Sequence, residues 1–237
     1  MSSHEYLARA ALLLQRLDEQ EGERIERVGA DVARSVASGG IVHLFGSGHS
    51  HMAAEEPFVR AGTLTAVRAI WPQQITDRFE RVPGLGAAVL SMDDVREGEV
   101  LFVISNSGRN PLPIDVALAG SACGAYVVGV GSSAHAQATP SRHPDGHHLV
   151  DVVDEFLDTH VPVGDALLSD LDGLPPLGPS STLASVALIN AVMVHAAVAM
   201  RDLGYEPPVR VSRNVPGGDA VNDRLAGRYG DRIPELR

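Results

Sequence analysis

The sequence contains no lysine: all 19 basic side chains among its 237 residues are arginines. A lysine Schiff base, a pyridoxal phosphate anchor and a Walker-type phosphate loop each need a primary amine, so all three are excluded. There is one cysteine, Cys123, which rules out an intrachain disulfide framework and a thiolate-rich metal site. Within the small-residue run Ala122-Cys123-Gly124-Ala125 it reads as a buried small hydrophobe and not as a nucleophile. A basic excess is missing too. Against 30 acidic residues the formal net charge is −11, a balance that repels phosphate backbones and argues against nucleic acid as a partner. Residues Met1 to Ala10 lack a basic region followed by a long apolar stretch, so no signal peptide is expected and the cytoplasm is the default compartment.

What is present is ordinary for a globular chain. Hydrophobic residues make up 44%, enough for a packed core, and the length suits one compact α/β domain with extra helices. Residues 1–38 read as a helical region, 39–203 as the core and 204–237 as an extension. From Glu5 to Ala37 the pattern is helical, with Leu7, Leu14 and Leu17 on one apolar face and Ile25, Val28, Val32 and Val36 resuming it after Gly22. Short apolar runs follow, each with turn residues behind it: Ile41 to Phe45, Leu64 to Ile70, Val100 to Ile104, Tyr126 to Val130 and His148 to Val153. Their length and β-branched content predict strands buried on both faces of a parallel sheet. Alternation with helical patterns predicts right-handed βαβ units in a three-layer αβα sandwich with a five-stranded parallel sheet. Leu174 to Pro179 and Glu206 to Gly218 are rich in Pro and Gly and read as loops, and Trp71 to Val95 is a loop-and-helix stretch of undefined role. Thr182 to Met200 carries no charge and is nearly long enough for a membrane span. Being Ala-rich and interrupted by Ser185, Asn190 and His195, it reads as a helix of the core or of a subunit interface, and no membrane partner is expected.

The first and third apolar runs feed small, hydroxyl-rich turns: Gly46-Ser47-Gly48-His49-Ser50 and Ser105-Asn106-Ser107-Gly108-Arg109-Asn110. Such turns at the carboxyl ends of neighbouring parallel strands make an anion site. Backbone N–H groups and the positive end of a helix point at the ligand, and Ser and Asn side chains add hydrogen bonds. Two Ser-rich turns on separate strands indicate a phosphate monoester. A dinucleotide is disfavoured, since His51 stands where the third fingerprint glycine belongs and the second run ends at Trp71-Pro72 instead of an acidic residue.

The run Leu101-Phe102-Val103-Ile104-Ser105-Asn106-Ser107-Gly108 resembles the hallmark of sugar isomerase (SIS) domains, which bind phosphosugars through a Ser-x-Ser-Gly-x-Thr loop. Phe45-Gly46-Ser47-Gly48-His49-Ser50 is similar to the first glycine loop of that family, and Pro208 to Val215 resembles an uncharacterised bacterial branch of it. Asn110 stands in place of the usual Thr and still donates to a phosphate oxygen. The resemblance implies a five-stranded parallel sheet, a homodimer or homotetramer, no cofactor, and a phosphosugar held by Ser47, Ser50, Ser105, Ser107 and Asn110, with Gly48, His49 and Asn106 in the same turns.

For chemistry, His51 and Glu55 are four residues apart and share a helical face beside the first turn. A carboxylate there can abstract the proton α to the carbonyl of an open-chain sugar phosphate, while an imidazole moves protons on oxygen. Glu56 points about 100° away and reads as structural. His49, His51 and Glu55 could alternatively ligate a divalent cation, but the side chains diverge around a helix start and a third well-placed ligand is not apparent, so no metal is expected. His147 and His148 read as loop residues. Ser181 and Thr182, at the cap of the late helix, are candidates to lie near the ligand. His195 resembles in placement a histidine of the heptose phosphate isomerases. Ala53-Ala54-Glu55-Glu56-Pro57 resembles the Ala-Ala-Glu-x-Pro run of N-acetylmuramic acid 6-phosphate etherases, in which the Glu is catalytic. Together these imply an enzyme that deprotonates C2 of an amino-sugar 6-phosphate and eliminates water or an ether, with Glu55 as base and His51 or His195 as acid. An aldose–ketose phosphosugar isomerase and a non-catalytic phosphosugar sensor are the alternatives.

Overall fold

The structure is a computed structural model that describes residues 3–70, 78–169, 171 and 173–237. The expected strand end at Trp71-Pro72 lies outside the described residues. The chain opens with one continuous helix, α1 (Ser3–Ala37). Its buried stripe is Ala10, Leu13, Leu17, Val28, Val32 and Val36. Leu17 and the second-half residues are as expected, but Leu7 is 63% exposed and Leu14 faces outward as well. The three consecutive leucines 12–14 leave the phase open locally. The 3.6-residue period carried back from Val36 selects Leu13.

Five strands form the sheet: β1 (Val42–Gly46), β2 (Val67–Ala69), β3 (Val100–Ile104), β4 (Tyr126–Gly131) and β5 (Glu155–Asp158). All neighbours are parallel, in the order β2-β1-β3-β4-β5. Side chains alternate between two cores, as a pleat requires. Val100, Phe102 and Ile104 enter the core with α1, while Leu101 and Val103 enter the core on the other face. The helices are α2 (His51–Glu55), α3 (Gly86–Leu90), α4 (Pro111–Ala122), α5 (Ser133–Ala138), α6 (Ser181–Asp202) and α7 (Gly218–Tyr229). With helices on both faces, the three-layer αβα sandwich is the observed architecture.

The fifth strand is not where the sequence pattern puts it. Leu149–Asp151 is a 3-10 turn in which the His148 N–H donates to the Asp151 carboxylate at 2.7 Å, and this local pairing outweighs the β-branched run. The strand that completes the sheet is Glu155–Asp158, whose acidic ends hide it from a hydropathy reading. Leu177–Pro179, expected as loop, forms strand β7 and pairs antiparallel with β6 (Ala166–Leu168). Cys123 is exposed at the end of α4 instead of buried.

Helix α6 is long and apolar enough to cross a membrane by length and composition. Here it packs along α1 and buries Ala184, Leu188, Val192 and Ala196, successive positions one turn apart. The segment after it returns to the sheet. Val209 bridges Leu64, and Arg232 reaches the buried Glu99.

Candidate functional site

In the order β2-β1-β3, chain direction through the sheet reverses between β1 and β3, the switch point at which open parallel sheets leave a crevice beyond their carboxyl ends. The turns after these two strands flank that crevice. The first needs Gly46, because a Cβ there would stand 2.4 Å from the Ser50 carbonyl oxygen. The second needs Gly108, which has φ +59°. Three neighbouring segments pin the second turn through its carbonyls. The N–H of Ser132 donates to Asn106 O, that of Leu149 to Gly108 O and that of Arg142 to Arg109 O.

The two turns converge on one carboxylate. Ser47 Oγ donates to Glu80 Oε2 at 3.2 Å, and Asn110 Nδ2 donates to Glu80 Oε1 at 2.6 Å. Arg142 Nη1 then donates to Asn110 Oδ1 at 2.9 Å, fixing the amide so that its NH2 faces Glu80. Burial, then the nearby charges of Arg109 and Arg81, pull Arg142 below the ordinary arginine value, and Glu80 opposes them. Arg109 Nε and Asn106 Oδ1 are buried without a hydrogen-bond partner. Such groups are costly to leave unmet. His135, on α5, has its pKa lowered by burial and by Arg109, so its ring is neutral at neutral pH.

The remaining candidates are placed as follows. Ser105 is buried, its N–H donating to Val130 O. Ser107 is half-buried and His49 exposed. Ser50 donates its N–H to Ser47 O and closes the first turn. His51 Nδ1 donates to the Gly48 carbonyl, leaving Nε2 as the open ring nitrogen. Among the described residues no hydrogen bond or ion pair engages the Glu55 carboxylate, whereas Glu56 pairs with Arg60 at 2.9 Å and accepts from Asn190 at 3.3 Å. One expectation is corrected. The first turn runs through a 3-10 turn into α2, a helix of only five residues, so its positive end adds little, whereas the second turn opens the twelve-residue helix α4. Ser181 is occupied elsewhere: its N–H and Oγ both donate to Asp165, at 2.7 and 2.9 Å. Thr182 is half-buried next to it. His195 lies against α1, where a Cβ on Gly29 would come within 2.8 Å of its ring. No cluster of three metal-ligating side chains occurs among the described residues. A cavity of about 560 Å3 exists at the opposite end of the sheet, lined by Asp31, Gly40, Glu99 and Arg232, away from both turns.

Sequence reasoning missed Glu80, Arg142, Arg109 and His135. Glu80 and Arg142 sit in connecting segments with no periodicity, and only the tertiary fold brings them to the serine turns.

The family follows from this geometry and from comparison with known proteins. Residues 5–132 match the SIS domain, and the chain belongs to that family of phosphosugar-binding domains. Within it, the chain is similar over nearly its whole length to proteins designated UPF0309. It is 42% identical over 242 residues to one from Streptomyces avermitilis, covering 98% of this chain and 96% of that protein. To one from Geobacillus thermodenitrificans it is 39% identical over 224 residues, covering 91% and 90%. Among solved structures, phosphoheptose isomerase GmhA of Neisseria gonorrhoeae shares the fold with a TM-score of 0.53 at 13% identity, over 81% of this chain and 94% of that one. The Vibrio vulnificus NanR protein complexed with ManNAc-6P has a TM-score of 0.52 at 16% identity, over 97% and 68%.

Proposed function

We propose that the chain is a cofactor-free enzyme that binds the phosphate of an amino-sugar 6-phosphate, such as N-acetylglucosamine 6-phosphate, between the two serine turns and eliminates water or an ether across C2 and C3. The observation that carries the reading is the convergence of Ser47 and Asn110 on a single carboxylate, with an uncommitted Glu55 one short helix away. A group that cradles two carboxylate oxygens also suits two phosphate oxygens.

In the open-chain form Glu55 takes the proton from C2, and the electron pair forms the C1–C2 enolate. Collapse of the enolate expels the C3 oxygen, which receives the Nε2 proton of a His51 imidazolium and leaves the ring neutral with its proton on Nδ1, giving an α,β-unsaturated aldehyde and water or an alcohol. Nδ1 of His51 stays bound to Gly48 throughout, which orients the ring. Within its own chain His195 packs on Gly29, so the acid is assigned to His51 first.

The test is incubation with N-acetylglucosamine 6-phosphate in deuterated water, followed by mass and ultraviolet absorbance. A product lighter by water, absent with Glu55→Gln, supports elimination. Conversion of an aldose phosphate that carries a hydroxyl at C2 into a ketose of unchanged mass apart from deuterium makes the enzyme an isomerase. Binding without turnover of any hexosamine phosphate makes it a sensor, and no binding refutes all three.

A further inference from the structure

The groups assigned to the phosphate are already engaged by an anion of the chain itself. Glu80 presents its two carboxylate oxygens separately to Ser47 on one turn and Asn110 on the other, spanning the crevice as two oxygens of a phosphate would. Asn110 is held by Arg142 in the orientation that serves this anion, and Arg81 and Arg109 are close enough for their charges to act on Arg142. Glu80 itself is carried by the 3-10 turn Phe79–Arg81, which is not a rung of the sheet.

We propose that Glu80 is an internal competitor for the phosphate site, expelled when a phosphate monoester enters, and that Arg142 becomes a ligand of the incoming phosphate. This rests on the phosphosugar reading above. A carboxylate carries one negative charge and a phosphate monoester close to two at neutral pH, with three terminal oxygens instead of two. The arginine group therefore favours the phosphate over the carboxylate, and a sugar without phosphate has nothing with which to displace Glu80. The internal anion thereby acts as a filter for dianionic ligands. It also raises the apparent dissociation constant by the inverse of the fraction of molecules in which the pocket is open: if Glu80 fills it about 90% of the time, binding weakens about tenfold.

Isothermal titration with N-acetylglucosamine 6-phosphate, on the native chain and on Glu80→Ala, Glu80→Gln, Arg142→Ala and Asn110→Ala, tests this. Thermal unfolding of each variant verifies that it is folded. Removing the competitor tightens binding about tenfold in Glu80→Ala, with a smaller gain in Glu80→Gln, which keeps one acceptor oxygen for Asn110 and loses the charge. Arg142→Ala weakens binding, and unphosphorylated N-acetylglucosamine stays without measurable heat in every protein. Unchanged or weaker binding in both Glu80 variants, with Asn110→Ala still abolishing it, overturns the internal competitor and leaves the phosphosugar reading standing. Full binding in Asn110→Ala overturns the site itself, as does an absence of heat in native and Glu80→Ala proteins alike.

Discussion

Arg232, near the end of the chain, places Nη1 2.9 Å from Oε1 of Glu99, the residue that leads into the central strand β3. Glu99 is buried and also receives His43 Nε2 at 2.9 Å and the Ile41 N–H at 3.0 Å. Burial raises its pKa, but the hydrogen bonds from His43, Arg232 and Ile41 outweigh it and bring the value from 4.5 down to about 2. A carboxyl depressed in the folded state contributes stability that is complete above its unfolded value and disappears as pH falls through the folded one. Melting temperature is therefore expected to fall between about pH 4.5 and pH 2. Glu99→Gln, which leaves Arg232 facing a neutral amide, loses about 3 kcal/mol at pH 7 and shows a flatter profile across the acid range. A profile as steep as the native one assigns the acid sensitivity to other groups.

Asp115 on α4 links the two segments that deliver Glu80 and Arg142. One carboxylate oxygen accepts the Gly84 N–H at 2.7 Å and the other lies 3.2 Å from His143 Nε2. Asp115→Ala removes both anchors, with an expected stability loss of about 1–3 kcal/mol for the unmet partners. Phosphosugar affinity in calorimetry is expected to fall as well, because the segment that carries Arg142 loses its anchor at His143. Unchanged affinity in the folded variant separates the anchor from the pocket.

The parts of the fold legible in the sequence are those that burial alone decides. Val100 to Ile104 is apolar at every position and is the central strand with those limits. Val28, Val32 and Val36 mark the inner face of α1 without ambiguity. Glu155–Asp158 escaped because an edge position next to α1 lets charged side chains stay half-exposed, with Glu155 paired to Arg27. The two turns of the site could be read because their glycines and serines are local necessities. Glu80, 33 residues from Ser47, meets it only through the tertiary fold, and single charged residues in connecting segments carry no spacing signal.

Glu55 and Glu56 are adjacent in sequence and differ in what they touch, which makes them a matched pair for testing. Glu55→Gln is expected to lower kcat by at least about 100-fold, the usual worth of a positioned base, with little change in melting temperature or ligand affinity. Glu56→Gln loses the ion pair with Arg60 and weakens the contact with Asn190, so stability falls by up to about 1 kcal/mol and turnover persists. Steady-state kinetics beside thermal unfolding decides the assignment. Equal kinetic losses in both variants point to a disturbed α2 and not to a base at Glu55.

Helix α6 predicts the oligomeric state. Its inner side is buried on α1, yet Val194 and Val198 are 61% and 57% exposed, one turn apart on the outer side. Exposed β-branched side chains in register along a long helix form an apolar stripe that a second copy can cover through the same stripe about a two-fold axis. Light scattering after size-exclusion chromatography is expected to give a dimer or a larger even assembly for the native chain. The double substitution Val194→Glu and Val198→Glu introduces four acidic side chains into each two-fold contact and should give a monomer with native helical content. If the monomer also loses turnover while binding phosphosugar as before, the partner subunit supplies part of the catalytic apparatus, and the half-buried His195, between Val194 and the buried Ala196, is the first residue to substitute in mixed dimers. A native assembly that persists in the double variant places the interface elsewhere.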